Sequence, residues 1–129
     1  MKHQGLDHLA IVVSDTDEAL QTWHHRMGFP LVHSEVVNDG TIRLTHLDLG
    51  NTHLQLVQPL TPDHPLQNWL KENGSGLHHF CLKVEDVGES KNAAPFPCPG
   101  EPHQGIQGKR AIFLDKNATD QIHVELTGK

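Results

Sequence analysis

A chain of 129 residues and 14.4 kDa is long enough for one domain with a buried core and too short for two ordinary ones. Lys and Arg number 10 against 16 Asp and Glu, a formal charge of -6, and no basic run offers the footprint that nucleic-acid binding needs. With 36% hydrophobic and 20% charged residues and only short apolar segments, the chain has neither a membrane span nor a disordered composition. The polar start Met1-Lys2-His3-Gln4-Gly5 is unlike a signal peptide, and two cysteines, Cys81 and Cys98, make no disulfide framework, so a cytoplasmic location is expected. Histidine, at 12 residues, is the odd feature of the composition.

In chain order, residues 6–13 are apolar and β-branched and predict a strand that ends at Ser14-Asp15, where a side-chain oxygen can cap the next element. Ala19, Leu20, Trp23 and Met27 recur at helical spacing and predict a helix over residues 16–27, ended by Gly28. Strands follow at 31–37, 41–49 and 52–58, joined by turns at Asn38-Asp39-Gly40 and Gly50-Asn51, which predicts an antiparallel meander. Residues 59–76 read as a linker with a short helix opened by Pro65 and carrying Leu66, Trp69 and Leu70. A strand over 77–84 comes next, then a helix over 87–94 that Pro95, Pro97, Pro99 and Pro102 reduce to a stub or an irregular loop. Residues 109–114 and 122–127 close the chain as strands, with Asp120-Gln121 in the connection between them.

An internal repeat organises these elements. Leu6-Asp7-His8-Leu9-Ala10-Ile11-Val12-Val13-Ser14-Asp15 matches Leu77-His78-His79-Phe80-Cys81-Leu82-Lys83-Val84-Glu85-Asp86 at a shift of 71. Arg43 to Asp48 matches Arg110 to Asp115 at a shift of 67, and His53-Leu54-Gln55-Leu56 matches His123-Val124-Glu125-Leu126 at a shift of 70. Three matches in one order, at drifting offsets, are what a duplicated module with small loop deletions leaves. The expected fold class is therefore α+β: two tandem βαβββ modules, about residues 5–60 and 76–128, joined by the helical linker within a single domain 1–129 and forming a curved mixed sheet around one metal cleft.

The repeat also selects candidate site residues. Strand residues alternate faces, so His8 and His79 occupy equivalent places in the two opening strands, and Gln55 and Glu125 do so in the two closing ones. Glu125 lies between Val124 and Leu126 in a segment patterned for burial, and a buried carboxylate needs a partner. Two imidazoles, an amide oxygen and a carboxylate suit Co, Mn, Ni, Fe or Zn as divalent ions in an open site, better than the thiolate-rich closed site of structural zinc. His24, His25, His64, His78 and His103 are read as surface or packing residues, and the positions of His46, His53 and His123 leave lining and solvent-facing roles open.

These residues resemble the vicinal oxygen chelate (glyoxalase/bleomycin resistance/dioxygenase) superfamily, and within it the methylmalonyl-CoA epimerase branch. The resemblance runs through residues 6–13, 49–60, Pro62-Asp63-His64-Pro65-Leu66, Trp69-Leu70, Gly74 to His79 and Val124-Glu125-Leu126, nearly the whole chain. It implies that His8, Gln55, His79 and Glu125 are metal ligands, that a small-molecule substrate loses a proton alpha to a carbonyl through a metal-stabilised enolate, and that Glu125 also transfers that proton. It further implies a homodimer. The chain departs from the branch where a glutamate is expected early in the third strand: the aligned position is Arg43, which can hold a substrate anion but cannot act as a base. Asp115-Lys116-Asn117 replaces a usual His-Pro-Lys, and the glycine loop survives as Gly105-Ile106-Gln107-Gly108-Lys109, so Arg43, Gly105, Gly108 and Lys109 are the substrate-side candidates. The alternatives are a glyoxalase I type lyase, a ring-cleaving dioxygenase using His8, His79 and Glu125, and a non-catalytic binding protein of the same fold. Six aromatic residues with no Tyr speak against a stacking pocket for flat drugs.

Overall fold

The structure, a computed structural model, describes residues 2–93 and 95–129; Met1 and Ala94, the expected end of the second-module helix, lie outside the described residues. The described chain is mixed α+β and divides into two compact units, Leu9–His78 on the one hand and the chain up to His8 together with His79–Lys129 on the other.

In the Leu9–His78 unit, β1 (Leu6–Val12) enters from the preceding residues and leads to α1 (Thr16–Leu20), whose N-terminus is capped by Asp15 accepting from the Glu18 amide at 2.9 Å. From Gln21 to Arg26 the helix widens into a π turn, with the Met27 amide donating five residues back to the Thr22 carbonyl. The widening corrects the expected apolar face. Ala19, Leu20 and Trp23 pack on the core, but the extra residue in the turn rotates Met27 away, and it is 56% exposed. The meander follows as β2 (Leu31–Val37), β3 (Ile42–Asp48) and β4 (His53–Pro59), antiparallel with Val37 opposite Ile42 and His46 opposite Gln55, and with β1 beside β4. Asn38, Asp39 and Gly40 all take positive φ (52, 56 and 78°), the geometry that makes this turn sequence a hairpin signal. α2 (Pro65–Asn73) completes the unit. Its core is Ile11, Val13, Leu47, Leu54 and Leu56, from β1 and the residue that follows it, β3 and β4.

The other unit begins within β5 (Gly76–Lys83), continues through α3 (Val87–Ala93), β6 (His103–Gln104) and β7 (Arg110–Phe113), and ends in β8 (Val124–Gly128). The strand order is β5-β8-β7-β6; β8 runs parallel to β5 and the remaining pairs are antiparallel. The amino-terminal segment joins this unit through Gln4 N–H to Lys83 O (2.7 Å) and Lys83 N–H to Gly5 O (2.9 Å). Val84, Val87, Ile112, Leu114, Val124 and Leu126 form its core. α3 is the stub that the prolines predict. β6 is an element that the periodicity does not show, because two residues following four prolines carry no alternation to read. None of the described helices is long and apolar enough to cross a membrane.

Candidate metal centre

Alternation along the strands delivers the chemistry to one place in the terminal unit. In β8, Val124 and Leu126 point into the core, so Glu125 faces the other way; in β5, Phe80 and Leu82 pack on that core while His79 and Cys81 face with Glu125. The parallel register sets Cys81 opposite Glu125. His8 joins them from the start of β1. Glu125 Oε1 lies 3.4 Å from His8 Nε2 and 3.3 Å from His79 Nε2, and the three side chains are only 4 to 8% exposed. The two imidazoles meet edge to face at 5.6 Å.

The electrostatics follow from that burial. Desolvation alone would raise the Glu125 carboxyl, but hydrogen bonds from His103, His79 and His8 hold it well below the usual carboxylate range. Desolvation likewise works against a charged His8, and hydrogen bonds to Asp7 and Glu125 outweigh it and raise its pKa. Burial pushes the Cys81 thiol far up, with Glu125 and Asp7 adding to the effect, so this cysteine stays protonated and inert.

The donor set fits a divalent ion. Two ligands about 2.1 Å from one ion and at right angles stand about 3 Å apart, and His8 Nε2, His79 Nε2 and a Glu125 oxygen lie within 4.8 Å of one another, at 3.3 and 3.4 Å where they meet the shared oxygen. Two imidazoles and one carboxylate form a facial set that leaves positions open. Asp7 Oδ2 accepts from His8 Nδ1 at 2.7 Å, which orients the ring and turns Nε2 toward Glu125, the carboxylate–histidine arrangement typical of metal-binding imidazoles.

Three of the four ligands expected from the sequence, His8, His79 and Glu125, are thus brought together. Gln55 belongs to the other unit, where it is buried and its amide donates to His46 Nε2 at 3.0 Å; His46 Nδ1 in turn lies 2.9 Å from His53 Nδ1. That chain gives His46 and His53 the roles that their positions leave undecided. Arg43 is held by Asp17 (3.2 Å) and by Ser34 Oγ (3.0 Å). Gly105, Gly108 and Lys109 form the tight turn between β6 and β7, closed by Gly105 N–H to Lys109 O at 2.8 Å, with Lys109 exposed.

One residue read from the sequence as surface or packing is corrected. His103 Nε2 stands 3.2 Å from Glu125 Oε2, because β6 pairs with β7 and places His103 opposite Ala111, two residues from the Phe113 that faces Glu125. Phe113 gathers the imidazoles around it: His103 stacks on it at 5.7 Å and 19°, while His79 and His123 meet it edge-on at 5.0 and 6.4 Å.

A sequence profile of the Glyoxalase/Bleomycin resistance protein/Dioxygenase superfamily matches residues 7–113. The ethylmalonyl-CoA/methylmalonyl-CoA epimerase of Cereibacter sphaeroides is 29% identical over 127 residues, covering 94% of this chain and 95% of the relative. Among solved structures, methylmalonyl-CoA epimerase from Mycobacterium tuberculosis superposes with a TM-score of 0.86 at 26% identity, over 98% of this chain and 88% of that one. A glutamate-to-glutamine variant of the Streptomyces coelicolor methylmalonyl-CoA epimerase in complex with 2-nitronate-propionyl-CoA gives 0.85 at 26% identity, over 99% of both chains.

Proposed function

Because the chain belongs to the Glyoxalase/Bleomycin resistance protein/Dioxygenase superfamily, we propose that it is an isomerase that moves the proton alpha to the carbonyl of an acyl thioester, with methylmalonyl-CoA or a close analogue as substrate. Relatives named as methylmalonyl-CoA epimerases match it over most of both chains. The observation that carries the reading is Glu125, a carboxylate kept ionised while buried between His8 and His79. A divalent ion held by these three residues supplies Lewis acidity toward a carbonyl oxygen. The chain's own part is to hold that ion and to accept the α-proton at the Glu125 carboxylate, inversion then requiring a proton donor on the opposite face of the α-carbon. Lys109, exposed on the turn that Gly105 and Gly108 shape, is the contact for an anionic group of the substrate.

Incubating the metal-loaded protein with methylmalonyl-CoA in D2O tests the reading. Deuterium is expected at the α-carbon, at a rate reduced at least 100-fold in Glu125→Gln, in line with removal of a general base. No exchange by the metal-loaded wild type rejects this substrate, and equal exchange by the variant rejects Glu125 as the proton carrier.

A further inference from the structure

Glu125 has two carboxylate oxygens and the structure uses them differently. Oε1 faces both His8 and His79, at 3.4 and 3.3 Å; Oε2 faces His103, at 3.2 Å. His103 stands apart from the other two imidazoles in its surroundings. Its side chain is 38% exposed against 8% for Glu125, and it is carried by a two-residue strand. Its ring plane is set by near-parallel stacking on Phe113, and its backbone by pairing with Ala111.

We propose that His103 is a positioning residue for Glu125: its Nε2–H donates to Oε2, which fixes the carboxylate's rotation and presents Oε1 alone to the metal position between His8 and His79. This rests on the metal-centre reading above. An ionised carboxylate only accepts hydrogen bonds, so Nε2 carries the hydrogen in this contact and Nδ1 is the other tautomeric position. Ligating carboxylates need such partners, because an unrestrained one rotates between one-oxygen and two-oxygen binding and loses ordering free energy when the ion arrives. The stack on Phe113 serves the same end, since it holds the donor in the plane from which it reaches Oε2.

The proposal separates the hydrogen bond from the packing. Cobalt(II) titration of the purified protein, followed by its visible absorption, gives a metal affinity independent of catalysis, and far-UV circular dichroism checks that each variant is folded. His103→Ala is expected to weaken cobalt binding 10- to 100-fold, the usual effect of removing a partner of a metal ligand. His103→Gln, whose amide can still donate to Oε2, is expected to recover most of that loss. His103→Phe, which keeps the stack and removes the donor, is expected to behave like the alanine variant. Recovery by phenylalanine and not by glutamine, or an alanine variant of wild-type affinity, overturns the proposal. A wild-type protein that takes up no cobalt overturns the metal-centre reading and this proposal with it, and that result is read from a different sample than the variants.

Discussion

Titratable side chains in this protein take their roles from the partner that each nitrogen or oxygen meets. His64 is the clearest case away from the metal centre: its Nδ1 accepts from the Leu66 amide at 3.1 Å and so caps α2, a role open only to the neutral ring. Burial holds its pKa below the ordinary 6.5, outweighing the opposite pull of Asp63. A histidine with a depressed folded pKa contributes stability that is complete above the unfolded value and is lost as pH falls from about 6.5 through the folded one. The thermal midpoint is therefore expected to fall more steeply with acidification below about 6.5 in the wild type than in His64→Asn, which keeps an acceptor that does not titrate. Parallel pH profiles for the two proteins would contradict this. At the proposed metal centre, His8, His79 and Glu125 are legible in the sequence because the repeat ties them to one another. His103 is not. The strand registers make Glu35 its counterpart in the first module, a different residue type, so comparing the modules gives no reason to single it out. Asp7 is hidden for the same reason, since the position matching it in the second module is His78.

Elements show where a periodic pattern stops being a guide to packing. Positions 19, 20, 23 and 27 share a face only while the helix keeps 3.6 residues per turn, and the π turn over Gln21–Arg26 removes Met27 from it. Strands fare better because alternation survives small errors in their ends: β8 runs to Gly128, one residue past its expected limit, and Glu125 still faces away from Val124 and Leu126. Gly128 closes the strand against the backbone of Val84 and Glu85. A Cβ there would run into the carbonyl oxygen of Val84, where Val84 N–H meets Thr127 O at 2.9 Å and Lys129 N–H meets Glu85 O at 3.2 Å. Gly128→Ala is expected to lower stability by about 1–3 kcal/mol, the usual range for forcing an extra carbon into a packed site. Urea unfolding measures this, and a midpoint equal to the wild type's would show that the strand end yields without cost.

For the whole molecule, the matched segments in the two halves of the sequence explain why so much could be read from it. The registers agree with the repeat: Phe113 stands opposite Glu125 as His46 stands opposite Gln55, so the matched segments hold matched places in their own strand pairs. What the repeat cannot supply is the ways in which the two halves differ, and the surroundings of Glu125 are built from those differences. One module closes on a carboxylate flanked by imidazoles, the other on an amide bound to His46. The α+β class and the superfamily follow from what the modules share; Asp7, His103 and Phe113 follow from what they do not. The central claim is that His8, His79 and Glu125 hold a divalent ion, and elemental analysis of the purified protein beside a folded His79→Ala variant tests it most directly. The account predicts about one equivalent of a transition metal per chain in the wild type and little in the variant; a metal-free wild type, or equal metal in both proteins, would contradict it.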